Sequence, residues 1–123
     1  MDKNIRTINY PIEIIRGDTY SFCFKINSLN DLEISEIYMT CKEKSNPDGE
    51  IIFQRKLLDG INKIGINEYK VQIERANTIN MNVETQYMYD IEIKYDSVIK
   101  TIINGEFKVN QDYTNPDDEE SDS

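Results

Sequence analysis

The chain has 123 residues, a formal charge of −9, and neither His nor Trp. That length fits one domain with a single core, and the missing imidazole excludes Ser-His and Cys-His nucleophile pairs within the chain. Net acidity gives no electrostatic footprint for nucleic acid and no attraction to an anionic membrane, so neither is expected as a partner.

Five of the acids fall in the last nine residues, Asn-Pro-Asp-Asp-Glu-Glu-Ser-Asp-Ser, and without them the charge is near −4. Too acidic and too poor in apolar side chains to pack, residues 115–123 are predicted to be a disordered tail. Residues 1–9 read as an N-terminal arm and 10–114 as the folded domain. Met1 to Arg16 holds no unbroken apolar stretch of the kind a signal peptide needs, and no apolar run approaches the ~20 residues of a membrane span. Synthesis and folding in a cytoplasm are expected.

Taken in order, the first element is Tyr10 to Ile15, where Ile12 and Ile14 share a side and Pro11, lacking an N–H, suits a sheet edge. After the turn Arg16-Gly17-Asp18, apolar Tyr20, Phe22, Phe24 and Ile26 alternate with Ser21, Cys23 and Lys25. Ile37, Met39 and Cys41 repeat that pattern, ahead of the strong turn Asn46-Pro47-Asp48-Gly49. Ile51 to Leu58 changes parity midway, which predicts a bulge, and Asp59-Gly60 and Ile64-Gly65 follow as turns. Tyr69, Val71 and Ile73 form the next alternating set.

From Asn77 to Thr85 alternation stops, and one helical turn capped by Asn77 is predicted. Tyr87, Tyr89, Ile91, Ile93 and Tyr95 then alternate with Met88, Asp90, Glu92 and Lys94. A tight turn through Asp96-Ser97 leads to Val98–Val109, interrupted by Asn104-Gly105. That dipeptide suits either a hairpin turn or a kink in one long strand. The kink is preferred, because Phe107 and Val109 share parity with Ile99 and Ile103.

Period-two alternation marks half-buried strands with one wet face. About seven of them at regular spacing predict an all-β fold, an antiparallel β-sandwich of immunoglobulin-like order. Tyr87 stands where such folds place a tyrosine corner, and it also reads as a plain core aromatic.

Several stretches, in order, carry a resemblance. They are Arg-Gly-Asp-Thr-Tyr-Ser-Phe (16–22), Ile-Tyr-Met-Thr-Cys-Lys (37–42), Ile-Phe-Gln-Arg-Lys-Leu-Leu-Asp-Gly-Ile (52–61), Tyr-Met-Tyr-Asp-Ile-Glu-Ile (87–93), Lys-Thr-Ile-Ile-Asn-Gly-Glu-Phe-Lys-Val (100–109) and Gln-Asp-Tyr-Thr (111–114). Together, from about Pro11 to Thr114, the chain resembles small immunoglobulin-like virion proteins of tailed phages and prophages of Gram-positive hosts: tail, baseplate, neck or head accessory pieces. Many relatives have an acid where this chain has Asn77. The resemblance implies a virion location and a non-enzymatic role in assembly. The partners it implies are other virion proteins or further copies of the same chain. It supplies no catalytic residue, cofactor or metal.

Individual residues each have a sharper and a blander reading. Arg16-Gly17-Asp18 matches the integrin-binding tripeptide, but Gly17 and Asp18 equally suit a turn into a strand. Cys23 and Cys41 fall on opposite strand faces, so two free thiols are expected rather than a disulfide. Asp90 and Glu92 project from one face and resemble a Ca²⁺ or glycosidase pair; Lys94 continues that face, so a solvated strand is the simpler account. Asp117, Asp118, Glu119, Glu120 and Asp122 suit either a basic partner or plain solubility. Tyr87, Tyr89 and Tyr95 are expected in the core rather than on a sugar platform. The rivals to a virion module are a carbohydrate-binding or adhesion module, an enzyme subunit, and a small inhibitor or immunity protein. The absence of His and of Gly-x-Ser-x-Gly counts against the enzyme.

Overall fold

A computed structural model describes residues 5–114. The acidic tail expected from Asn115 lies outside the described residues, as do residues 1–4. Ten elements follow one another: β1 (Ile8–Asn9), β2 (Ile12–Ile15), β3 (Tyr20–Lys25), β4 (Glu36–Glu43), β5 (Phe53–Leu57), β6 (Gly60–Gly65), β7 (Glu68–Ile73), α1 (Arg75–Thr78), β8 (Tyr87–Tyr95) and β9 (Val98–Asn110). The strands hydrogen-bond in the order β1-β9-β8-β4-β5-β6-β7-β3, and β2 also pairs with β9. The protein is thus predominantly β, as the alternation implies.

Alternation decides which face of each strand is buried. Ile37, Met39 and Cys41 of β4 stand opposite Ile93, Ile91 and Tyr89 of β8, and all six are buried. Phe22 and Phe24 of β3 stand opposite Val71 and Tyr69 of β7. Each large apolar side chain so removed from water stabilises by about 1.5–3 kcal/mol. The sheet curls until its ends approach: the rings of Tyr10, beside β1, and Phe22, on the far strand β3, lie 5.6 Å apart. One buried apolar cluster runs from Ile5 to Val109.

Two features correct the expected architecture. Among the described residues nine strands form, not about seven, because Ile8–Asn9 and Gly60–Gly65 also pair. The sheet is mixed, not antiparallel: β1 and β2 run parallel to β9, and β5 meets β6 in parallel through Lys56–Gly60 and Leu57–Ile61.

Smaller differences have local causes. The β4–β5 register runs unbroken from Tyr38–Lys56 to Cys41–Phe53, so Ile51–Leu58 holds no bulge in that ladder. Its parity change arises because the strand begins at Phe53 and ends before Leu58, which turns at φ 72°. Val98–Asn110 is one strand through Asn104-Gly105, as preferred, but its irregularity lies elsewhere. The β8–β9 register steps from Ile91–Ile103 to Glu92–Thr101, leaving Ile102 as the extra residue. That step turns Ile102 and Ile103 both inward and puts Ile99 out at 63% exposed, so Ile99 does not share the face of Phe107. The helix starts at Arg75, earlier than expected, with Glu74 at its N-cap. Asn77 supports it from inside the first turn: its Oδ1 accepts the Glu74 N–H at 2.7 Å.

Tyr87 is buried, and its hydroxyl accepts the Asn82 N–H at 2.8 Å. This backward bond to the chain leading into β8 is the arrangement of a tyrosine corner.

Candidate functional site

The Arg16-Gly17-Asp18 segment is a tight turn. The Asp18 N–H donates to the Ile15 carbonyl at 3.0 Å, and Gly17 takes φ 82° between them. Gly17 is buried and gives its N–H to Thr78 Oγ1 at 2.8 Å. Arg16 points back to the body: its Nη2 lies 2.8 Å from Asp112 Oδ1 and its Nε donates to the same oxygen. That guanidinium holds the Asp112 carboxyl below the usual carboxylate range. An arginine engaged in this way is not offered to a partner.

Both cysteines are free, Cys23 exposed and Cys41 buried. Burial pushes the Cys41 thiol up to about 12, so it stays protonated. Tyr69, Tyr87, Tyr89 and Tyr95 are all core residues.

On the outer face of β8, Asp90 stands between Thr40 and Asn104 and is half-buried. Desolvation raises its carboxyl above the usual range, and Lys42 opposes part of that rise. Glu92 stands opposite Tyr38 and Thr101. Lys94 is 3.5 Å from Glu36, which balances charge along the strip. Among the described residues, no group of three or more His, Cys, Asp or Glu side chains is placed to hold a metal ion.

The sheet leaves two strand margins open. Among the described residues, β2 pairs on one side only, with β9. On this margin Pro11 and Glu13 are exposed, and Glu13 Oε2 accepts the Asn110 side-chain amide at 2.7 Å. β3 ends the hydrogen-bonded path and, among the described residues, pairs only with β7. The Ile26 N–H donates to the Asn67 carbonyl at 2.8 Å, on the β7 side. Strand amides alternate in direction, so those of Ser21, Cys23 and Lys25 point away from β7.

Beside that open margin runs a groove of about 820 Å³. Phe22, Phe24 and Ile26 form one wall, and Ile5, Ile8, Ile102 and Ile103 supply apolar surface opposite. Arg6 and Lys25 stand along it. Sequence reading did not foresee this groove. Its far wall depends on Ile5 and Ile8 in the arm and on the bulge that turns Ile102 inward, and no local pattern announces either.

No protein-family model and no curated protein matches the chain. Among solved structures, the chain is similar to murine CRIg, with 10% identity over 85% of this chain and 92% of that one, at a TM-score of 0.45.

Proposed function

We propose that this chain is a non-enzymatic assembly module of a tailed-phage or prophage virion, built as an immunoglobulin-like sandwich. It is made in the host cytoplasm and docks on other virion subunits. The observation that carries the contact role is the open margin of β2, where the backbone N–H and C=O of Glu13 face away from β9. Such a margin accepts a neighbour's strand, and Pro11 and Glu13 keep it from pairing indiscriminately.

The strand order supports the sandwich. β9, β8, β4 and β5 lie side by side, β6, β7 and β3 follow, and the first strands run along the last one. We read it as the order of a variable-type immunoglobulin sandwich in which the opening strand has joined the sheet of the last strand. Tyr87, bonded back to Asn82, sits at the corner where that fold has its tyrosine. The virion assignment is supported by the ordered series of resembling stretches, from Arg16 to Thr114. A chain without His has no ready proton carrier near neutral pH, which supports a role by contact alone.

The test is mass spectrometry and electron microscopy of particles induced from the source strain. The protein is expected in purified particles, with defective particles after deletion of its gene. Absence from particles, together with normal assembly in the deletion, overturns the virion reading and leaves a carbohydrate-binding module as the leading alternative.

A further inference from the structure

The open margin of β3 and the groove beside it fit one kind of occupant. We infer that they form a strand-acceptor site: a second polypeptide lays an extended segment against β3, with apolar side chains at alternate positions entering the groove and acidic residues at its flanks. The inference rests on the reading that the chain works by contact with other proteins, and it names a surface separate from the β2 margin.

Three observations carry it. First, the backbone groups of Ser21, Cys23 and Lys25 face away from β7 with no strand beyond them among the described residues, and the groove lies along Cys23 and Lys25. Pairing and apolar burial are therefore available to one and the same segment, which is how β-augmentation works. In a two-sheet immunoglobulin order the first strand pairs with this margin; here that strand runs along β9 instead.

Second, the stretches 1–4 and 115–123 do not suit the groove by their sequence. Residues 115–123 contain no apolar side chain apart from Pro116, and residues 1–4 are Met-Asp-Lys-Asn. Neither offers apolar residues at alternate positions, so neither of these stretches is the occupant we infer.

Third, the charges along the groove are Arg6 and Lys25. Neither forms an ion pair among the described residues. In a chain of net charge −9, two free cations beside an apolar groove select acidic flanks on the incoming segment.

The experiment uses the full wild-type chain as bait against a displayed library of random segments of about eight residues, a common strand length. Enriched segments are expected to carry apolar residues at alternate positions and acids at the ends. On binding, the Cys23 and Lys25 amides should exchange with solvent about tenfold more slowly or better. Methylating alternate backbone nitrogens of a selected segment should abolish binding. Exchanging both cations, as Arg6→Glu with Lys25→Glu, should weaken it about tenfold. Failure to enrich any segment, enrichment without alternation, or binding that leaves the Cys23 and Lys25 amides unchanged would overturn the inference. So would a groove filled by a second copy, seen as a dimer in sedimentation with those amides protected. None of these results bears on whether the protein is found in particles, so loss of the strand-acceptor site and loss of the virion reading are separable.

Discussion

The Tyr89 hydroxyl donates to the Tyr10 carbonyl, reaching from β8 past β9 to the chain between β1 and β2. Its path is open because Gly105, which stands opposite Tyr89 on β9, has no side chain. Tyr89 is 3% exposed, and burial raises its hydroxyl well above the ordinary range, so the donor keeps its proton. Tyr89→Phe leaves the Tyr10 carbonyl without this partner. The loss should be about 1–3 kcal/mol, read as a lower urea midpoint with an unchanged slope.

Gly105 is held to glycine by close approach. A Cβ there would meet the Tyr10 carbonyl oxygen at 2.5 Å and its carbon at 2.8 Å. Both are backbone atoms and cannot swing aside. Gly105→Ala should destabilise by about 1–3 kcal/mol by pushing the arm off β9. The Tyr10 amide, which donates to the Asn104 carbonyl at 2.8 Å, should then exchange faster, while β3 and β7 keep their protection.

Asp90 should act against stability at neutral pH. Its folded carboxyl titrates above 3.8 because burial disfavours the charge. Between 3.8 and that raised value the folded state binds more protons than the unfolded state, so its contribution to stability falls as pH rises through this window. Asp90→Asn should therefore stabilise at pH 7, with the gain vanishing once pH drops below the unfolded value. Thermal melts of both proteins across that range measure the sign; a loss at pH 7 would show that Asp90 has a partner stronger than Lys42.

The thiols should differ in kind. Cys23 is exposed and Cys41 is 0% exposed. A maleimide added to the native protein should label Cys23 alone, and Cys41 only after unfolding. Rapid labelling of both in buffer would mean that the β4–β8 layer opens locally.

The core was legible where side chains report their own environment. Phe22, Phe24, Tyr69, Val71, Ile91, Ile93 and Phe107 are buried as alternation predicts. So were the Asp96-Ser97 turn, which takes φ 46° and 68° as a two-residue hairpin does, and the placing of Cys23 and Cys41 on opposite faces. What stayed hidden depends on partners distant in the chain. β6 reads Gly-Ile-Asn-Lys-Ile-Gly and buries only Ile61 fully, so it has no alternation to see. The direction of β2 is set by its neighbour β9, not by its own residues. Asn67 was missed for the same reason. It is 2% exposed at φ 55°; its Oδ1 accepts the Leu32 N–H, and its Nδ2 donates to the Asn30 carbonyl. Its value lies in a loop more than 30 residues away, which no local window contains. The groove beside β3 combines an arm, a bulge and a bare margin, and becomes visible only once all three are in place.

The parallel run of β2 along β9 has a mechanical consequence. Ile12 pairs with Phe107 and Ile15 with Asn110, so the two strands point the same way. A pull on the chain ahead of β2 and on the chain beyond β9 therefore draws them past each other lengthwise. The bonds between them share that load and must yield together, whereas an antiparallel hairpin held by its two ends peels open one rung at a time. Stretched from these two points, the fold should resist as a latch does, with a single high force peak. Tyr89, bonded to the Tyr10 carbonyl just ahead of β2, acts as a pin across that latch.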